Sequence, residues 1–336
     1  MGFKRFDPED FLVSADAVSS TVWSGNSPRL DKFYYSTAQF QTAGDYYLSI
    51  YQTASTDTSA EVQFDIAFGH VKGSGSLYYN IAVPGVSPAS TIYGQYRSLI
   101  LEDENSQFTF GNITQEYFYV LNVSRARYKE KLLPGSLNLI LRSGSNILSL
   151  TDNSQDVALP TYYGTQRAYQ VISGSDGTSY TGSSAGYTPA SGSYGLFFPD
   201  TSIILLNGKA LDLAGPNGIN LNTNLTPNTD GQNVLKLYAA LVSGSSFELN
   251  SEETITSDFV FVRSRNAEFN YSTNPSFISG STGEVIYPYF INSPQVYPTT
   301  VGLYNDANEL LAVAKLSRPL QKNFTKEALV RVKLDF

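Results

Sequence analysis

The chain has 336 residues, a formal net charge of −8 and a pI near 4.8, and only 15% of its residues are charged. That acidity argues against a nucleic-acid binder of the kind that tracks phosphates by releasing counterions with Lys and Arg. With no cysteine, one methionine, one tryptophan and the single histidine His70, set against 24 tyrosines and 20 phenylalanines, disulfides are excluded and zinc sites of the common ligand types are not expected.

The opening MGFKRFDPEDF carries no apolar core of a secretory signal. Aliphatic runs such as Ile203 to Leu206 fall far short of the ~20 residues that span a bilayer, so no membrane anchor is expected. Phe33 to Ile50 reads as two Tyr/Phe-rich strands, and in Ala60 to Phe68 the residues Val62, Phe64 and Ile66 alternate with Glu61, Gln63 and Asp65, which predicts a strand with one buried and one wet face. Ser87-Pro88 predicts the start of a helix carrying Ile92, Tyr96, Leu99 and Ile100, with Gly94 as an internal weakness. Tyr117 to Val123 predicts a further strand, and Leu137 to Leu150 a hairpin turning at Ser143 to Asn146.

From Tyr162 to Tyr194 the chain is rich in Gly, Ser, Thr and Tyr, which predicts a long surface loop or a wide hairpin. After Gly231, apolar residues at Val234, Leu235, Leu237, Tyr238, Leu241 and Val242 recur at helical spacing, with Gly244 as the expected stop. The strand DFVFVRS follows from Asp258, then a hairpin turning at Asn305 to Asn308, then ALVRVKLDF. In that last segment Val330, Val332, Leu334 and Phe336 share one face, and Arg331, Lys333 and Asp335 the other. The expected fold is mainly β, with antiparallel sheets in a sandwich or barrel-like arrangement and one or two short helices. Three parts are expected: an N-terminal β domain over 1–157, a central Gly/Ser/Thr-rich region with one helix over 158–245, and a C-terminal β domain over 246–336. The central part is read as an insertion between two halves of one β body.

Reactive chemistry is sparse. His70, in FGHVKGSGS, has no nucleophile-elbow motif to serve. Gly208-Lys209 lacks both the leading glycine and the following hydroxyl of a phosphate loop, and Gly73 and Gly75 do not complete a dinucleotide fingerprint. Glu102-Asp103-Glu104 and Glu252-Glu253 read as solvated turns, with a pair of glycosidase carboxylates as the sharper alternative. Asp152 and Asp156 do not make a calcium loop. Sequons at Asn112, Asn122, Asn224, Asn270 and Asn323 are what chance gives an Asn/Thr-rich chain. The expectation is no enzyme, no cofactor and no metal.

Tyrosine carries more information. Tyr34-Tyr35, Tyr46-Tyr47, Tyr78-Tyr79 and Tyr162-Tyr163, if in strands, put a large ring on both faces, and tyrosine is favoured where surfaces meet. Sugar binding by exposed rings is the rival reading. Charge is uneven as well: residues 315–336 hold six bases against two acids, an excess of +4 that leaves −12 for the remainder. That asymmetry suits docking on an acidic or head-to-tail neighbour, or the guarding of a terminal edge strand. A second basic run is Arg125, Arg127, Lys129 and Lys131.

Four stretches share a resemblance: RARYKEKLLPGSLNLIL from Arg125, YGLFFPD from Tyr194, DFVFVRSRNAEFNYSTNPSF from Asp258 and TTVGLYNDANELLAVAKLSRP from Thr299. In this order they resemble virion structural proteins of T-even-like contractile-tailed phages of cyanobacteria. The resemblance implies a non-enzymatic part of the virus particle, assembled in the host cytoplasm in many copies. It places the protein in the tail, at a baseplate wedge, with other virion structural proteins and copies of itself as partners and neither nucleic acid nor membrane. A neck connector or capsid decoration protein, and a carbohydrate- or receptor-binding protein with depolymerase activity, are the alternatives. The residues expected to line contacts are Tyr271, Phe277, Tyr304, Arg318, Lys322, Arg331 and Lys333.

Overall fold

A computed structural model describes residues 4–180, 193–226, 231–272 and 274–335. The protein is mainly β and its sheets are antiparallel, with five short α-helices among the described residues rather than one or two. It forms two compact units, Val18–Glu253 and the pair of segments Met1–Ala17 and Thr254–Phe336. The division does not fall at 157 or 246. Strands Asn146–Asp152 and Gln166–Ser175 pair across the first position, and Ser246–Glu248 pairs with Asn138–Ser143 across the second. Continuous hydrogen-bonded ladders hold both positions inside the larger unit. The inserted piece is thus the whole of the chain between the two segments of the smaller unit.

The larger unit is built on a twelve-stranded sheet, and its strands Tyr117–Val123, Gly195–Phe198 and Ile203–Asn207 are largely apolar on both faces. Tyr117–Val123 shows why. Its Tyr117, Tyr119, Leu121 and Val123 point into a core with Val234, Leu237 and Leu241 of helix Gln232–Gly244, while Phe118 and Val120 point into a second core with Ile92, Tyr93, Tyr96 and Ile100 of helix Pro88–Ile100. A strand covered on both sides reads as a near-continuous apolar run, and neighbouring Gly195–Phe198 and Ile203–Asn207 do so, being buried throughout, with Asn207 held by its own hydrogen bonds. Burying each such side chain contributes about 1.5–3 kcal/mol.

Both expected helices form. Ser87 caps the first, its hydroxyl accepting from Ser90 N at 3.4 Å, with Pro88 at the first helical position. The second runs to Gly244, with Ser245 in the left-handed region beyond it. A Cβ on Gly244 would lie 1.9 Å from the Ile140 carbonyl, so glycine here is what lets the helix end touch strand Asn138–Ser143. The hairpin at Gly144 and Ser145 also forms, with Ser143 opposite Asn146.

Three expectations are corrected. The first Tyr/Phe-rich run holds helix Thr37–Ala43, capped by Ser36, and only Leu48–Tyr51 is a strand. Strand Val62–His70 has no wet face: Gln63 is buried and its amide nitrogen donates to Ser24 Oγ, Gln52 Oε1 and the Glu61 carbonyl. Asp65 accepts from Ser49 Oγ at 2.7 Å, and burial pushes its carboxyl up from the ordinary aspartate range. Of the tyrosine pairs only Tyr162-Tyr163 lies in a strand. Most of the Gly/Ser/Thr-rich stretch up to Tyr180 is strand Gln166–Ser175 with short partners on either side; positions 181–192 lie outside the described residues.

In the smaller unit, strands Phe11–Thr21, Asn250–Ser264 and Ala328–Asp335 lie side by side in that order. Register pairs Val260 with Val332 and Val262 with Val330, and the hairpin Thr300–Tyr304 and Leu310–Lys315 closes over that face. The alternation read in residues 328–335 appears as alternating burial along the strand.

Candidate contact surfaces

Only Val260, Leu303, Ala328 and Val332 are buried apolar residues among the described residues of the smaller unit. Half-buried Phe6, Val262, Val301, Ala312, Ala314, Val330 and Leu334 pack against that core. Hairpin geometry explains the shortage. On the inner face Leu303 sits opposite Ala312 and Val301 opposite Ala314, so large residues meet small ones. The neighbouring positions point the other way: Leu311 is 67% exposed, and Val313, Leu310 and Tyr304 are exposed with it. The Tyr304 ring lies across Gly302, where an added Cβ would come within 2.9 Å of it. The turn is fixed by Asn305, whose Oδ1 accepts from Glu309 N at 2.8 Å, with Asn308 at positive φ.

The outer face of the three-stranded sheet carries cations over an aromatic ring. Phe259 lies opposite Lys333 and one step from Arg331, and both stand over its ring, at 5.9 and 5.2 Å from the centroid. Lys333 also pairs with Asp335 at 2.9 Å; that carboxyl, accepting first from Ser257 Oγ and then from Lys333, is held below the ordinary range. Tyr271 is exposed and stands edge-on to Phe277, which in turn meets Phe290 with 4.6 Å between centroids. Arg318 is exposed on the connection after the hairpin.

Lys322 departs from the expectation. It is 0% exposed, and its ammonium donates to the carbonyls of Asn266 and Glu268 and to Asn270 Oδ1. Three acceptors match the three donors of an ammonium. Desolvation lowers its pKa, against which Glu268 and Glu327 act. Lys4 secures the same loop, donating to the Arg263 carbonyl at 2.7 Å and pairing with Glu268 at 3.4 Å. Lys322 is therefore an internal tie and does not line a contact. Of the expected residues the structure groups Arg331 with Lys333, and Tyr271 with Phe277. Leu310, Leu311 and Val313 were missed: LLAVAK reads as a buried run, and only a two-stranded hairpin, covered on one side, turns half of it outward.

The larger unit accounts for the remaining candidates. His70 is 4% exposed, its ring stacks on Tyr117, and its Nδ1 accepts from Lys72 N at 3.0 Å; burial lowers its pKa. Glu252 and Glu253 pair with Lys131 and Lys129 at 3.0 and 2.7 Å, and Arg127 pairs with Glu61 at 2.7 Å, so three cations of the second basic run meet acids of their own unit, while Arg125 donates to the Tyr128 carbonyl. Glu102 accepts from Thr165, and Asp103 from Asn105 N and Ser106. A cleft of about 430 Å³ is lined by Pro28, Pro134, Gly135, Asn138, Gln155, Asp176 and Glu248 among others. Its polar groups are in part satisfied by one another: Asn138 and Asp176 exchange two hydrogen bonds, at 2.7 and 2.8 Å. Beside it, buried Asp152 accepts from the amides of Gly135 and Ser154. No group of three or more metal-ligating side chains occurs among the described residues, and no helix among them is long and apolar enough to cross a membrane. No protein-family model, curated protein or solved structure matches the chain.

Proposed function

We propose that this chain is a non-enzymatic structural component of a phage virion, a tail baseplate protein that works by making subunit contacts. One observation carries the reading. Among the described residues, the smaller unit buries four apolar side chains and leaves sixteen large ones exposed, from Phe11 to Leu329. Exposed apolar side chains in this number, with Arg331, Lys333 and Arg318 exposed in the same unit, are the composition of a surface that another protein covers. The four segments that resemble virion proteins of contractile-tailed cyanobacterial phages support the setting, and two of them, from Asp258 and from Thr299, lie in this unit.

Labelling contractile-tailed particles with antibody raised against the purified chain tests the proposal in the electron microscope. Label at the baseplate end of the tail is expected. Particles that lack the chain would overturn it, as would release of oligosaccharides when the purified protein meets host-surface polysaccharide.

A further inference from the structure

A free sheet edge invites another strand, and proteins usually blunt such edges with brevity, bulges, proline, or Lys and Arg. The long edges here are guarded, with one exception. Ala328–Asp335 carries Arg331 and Lys333, and the hairpin carries Lys315 and a register shift at Leu303 and Tyr304. In the larger unit one terminal strand of the great sheet is the two-residue Arg29–Leu30, and the other, Leu48–Tyr51, is bridged by Tyr34. The exception is strand Phe11–Thr21, FLVSADAVSST, which has no Lys, Arg or Pro and pairs among the described strands only with Asn250–Ser264. Its residues in the smaller unit are exposed on both faces: Phe11, Leu12 and Val13 are consecutive and at least half exposed, Val13 at 66%.

We propose that residues 11–17 pair antiparallel with the same residues of a second copy of this chain, across a two-fold axis at Ser14. Self-pairing fits the residues. With Ser14 opposite Ser14 of the second copy, Phe11 meets Ala17, Val13 meets Ala15 and Asp16 meets Leu12, so no acid faces an acid and the large side chains Phe11 and Val13 each oppose an alanine. A two-fold contact requires one patch to complement itself, which apolar side chains and a backbone edge do and a single-sign charged face does not. The pairing rests on the proposed assembly role and names one of its partners.

The absence of cysteine makes the test direct. Ser14→Cys in the full chain, treated with a short bis-maleimide, is expected to give covalent dimer in high yield, while Ser317→Cys, at an exposed position outside any strand, stays monomeric. In the unmodified protein, amide exchange at residues 11–17 is expected to slow at least tenfold on going from dilute to concentrated solution. Val13→Lys, which sets like charges diagonally across the pair, removes that dependence. Equal cross-linking at positions 14 and 317, exchange that ignores concentration, or a dimer unaffected by Val13→Lys would each overturn the pairing. Baseplate labelling of particles would be untouched by that failure, so the assembly role and its self-pairing fail separately.

Discussion

The two units solve opposite problems with the same kind of sheet. In the larger one, helices Pro88–Ile100 and Gln232–Gly244 each belong to one of two cores that share the strands between them, and side chains as large as Phe118, Tyr119 and Phe197 are fully buried. The smaller one has a single layer of three strands, one hairpin to cover it and a core cluster of three buried residues, Val260, Leu303 and Val332, with half-buried neighbours. Polar ties add to its order, such as Lys322 to the loop at 266–270. The contrast teaches that apolar content alone does not make a core. The smaller unit has the residues and lacks the second layer, and a partner protein would supply one.

Core truncation breaks the comparison most sharply. Phe118 touches Tyr93, Tyr96 and Phe108, and Phe118→Ala is expected to cost the larger unit about 3–5 kcal/mol in urea unfolding. Phe324→Ala, at an exposed ring of the smaller unit, should change stability by less than about 0.5 kcal/mol; similar costs at both sites would erase the distinction. Next in size is Lys322→Met, which keeps the stem and leaves three oxygen acceptors without donors. A loss of about 1–3 kcal/mol is expected in the calorimetric transition of the smaller unit, and a neutral result would show that the tie is idle.

Alkali sharpens the contrast through the buried tyrosines. Burial, then the nearby Asp65 charge, pushes Tyr96 up to about 12, and burial likewise raises Tyr117 and Tyr119. The unfolded chain ionises at an ordinary tyrosine pKa of about 10 while the folded one stays neutral, so this stability is complete below about pH 10 and is lost as pH rises past it. Tyr96 accounts for about 1.4 kcal/mol of that loss at about pH 11. Urea midpoints of Tyr96→Phe between about pH 9 and 11 should fall less steeply than those of the parent. A smaller effect than these is that of Arg331→Ala, which removes one cation from above Phe259 and should cost about 0.5–1 kcal/mol. A larger loss in thermal melts of the free chain would mean that this face already supports the fold.

Legibility in the sequence follows from how many sides of an element are covered. Residues 328–335 alternate cleanly because one face meets the core and the other does not. Gln63 and Asp65 misled because polar residues normally mark the wet face, yet here a hydrogen-bond network takes them inside. Helix Thr37–Ala43 was obscured by the aromatic residues around it, although Ser36 followed three residues later by Gln39 is a helix-start signature. Gln39 spends its side chain on Ser49. In the candidate site, the basic and aromatic character of the C-terminal block was readable. Which cation turns inward was not, because the burial of Lys322 depends on a loop more than fifty residues away. The open edge at residues 11–17 was equally hidden, since a strand's own residues do not say whether it lies at the middle or the margin of a sheet.

The central claim, that the smaller unit is the contact element, is tested most directly by hydroxyl-radical footprinting of the chain free in solution and within isolated particles. Strong protection on assembly is expected at Phe11, Leu12 and Val13 and at Tyr304, Leu311 and Val313, with Tyr78 and Leu159 of the larger unit, both exposed, reacting alike in the two states. Protection confined to the larger unit, or no difference at the hairpin and the edge strand, would contradict it.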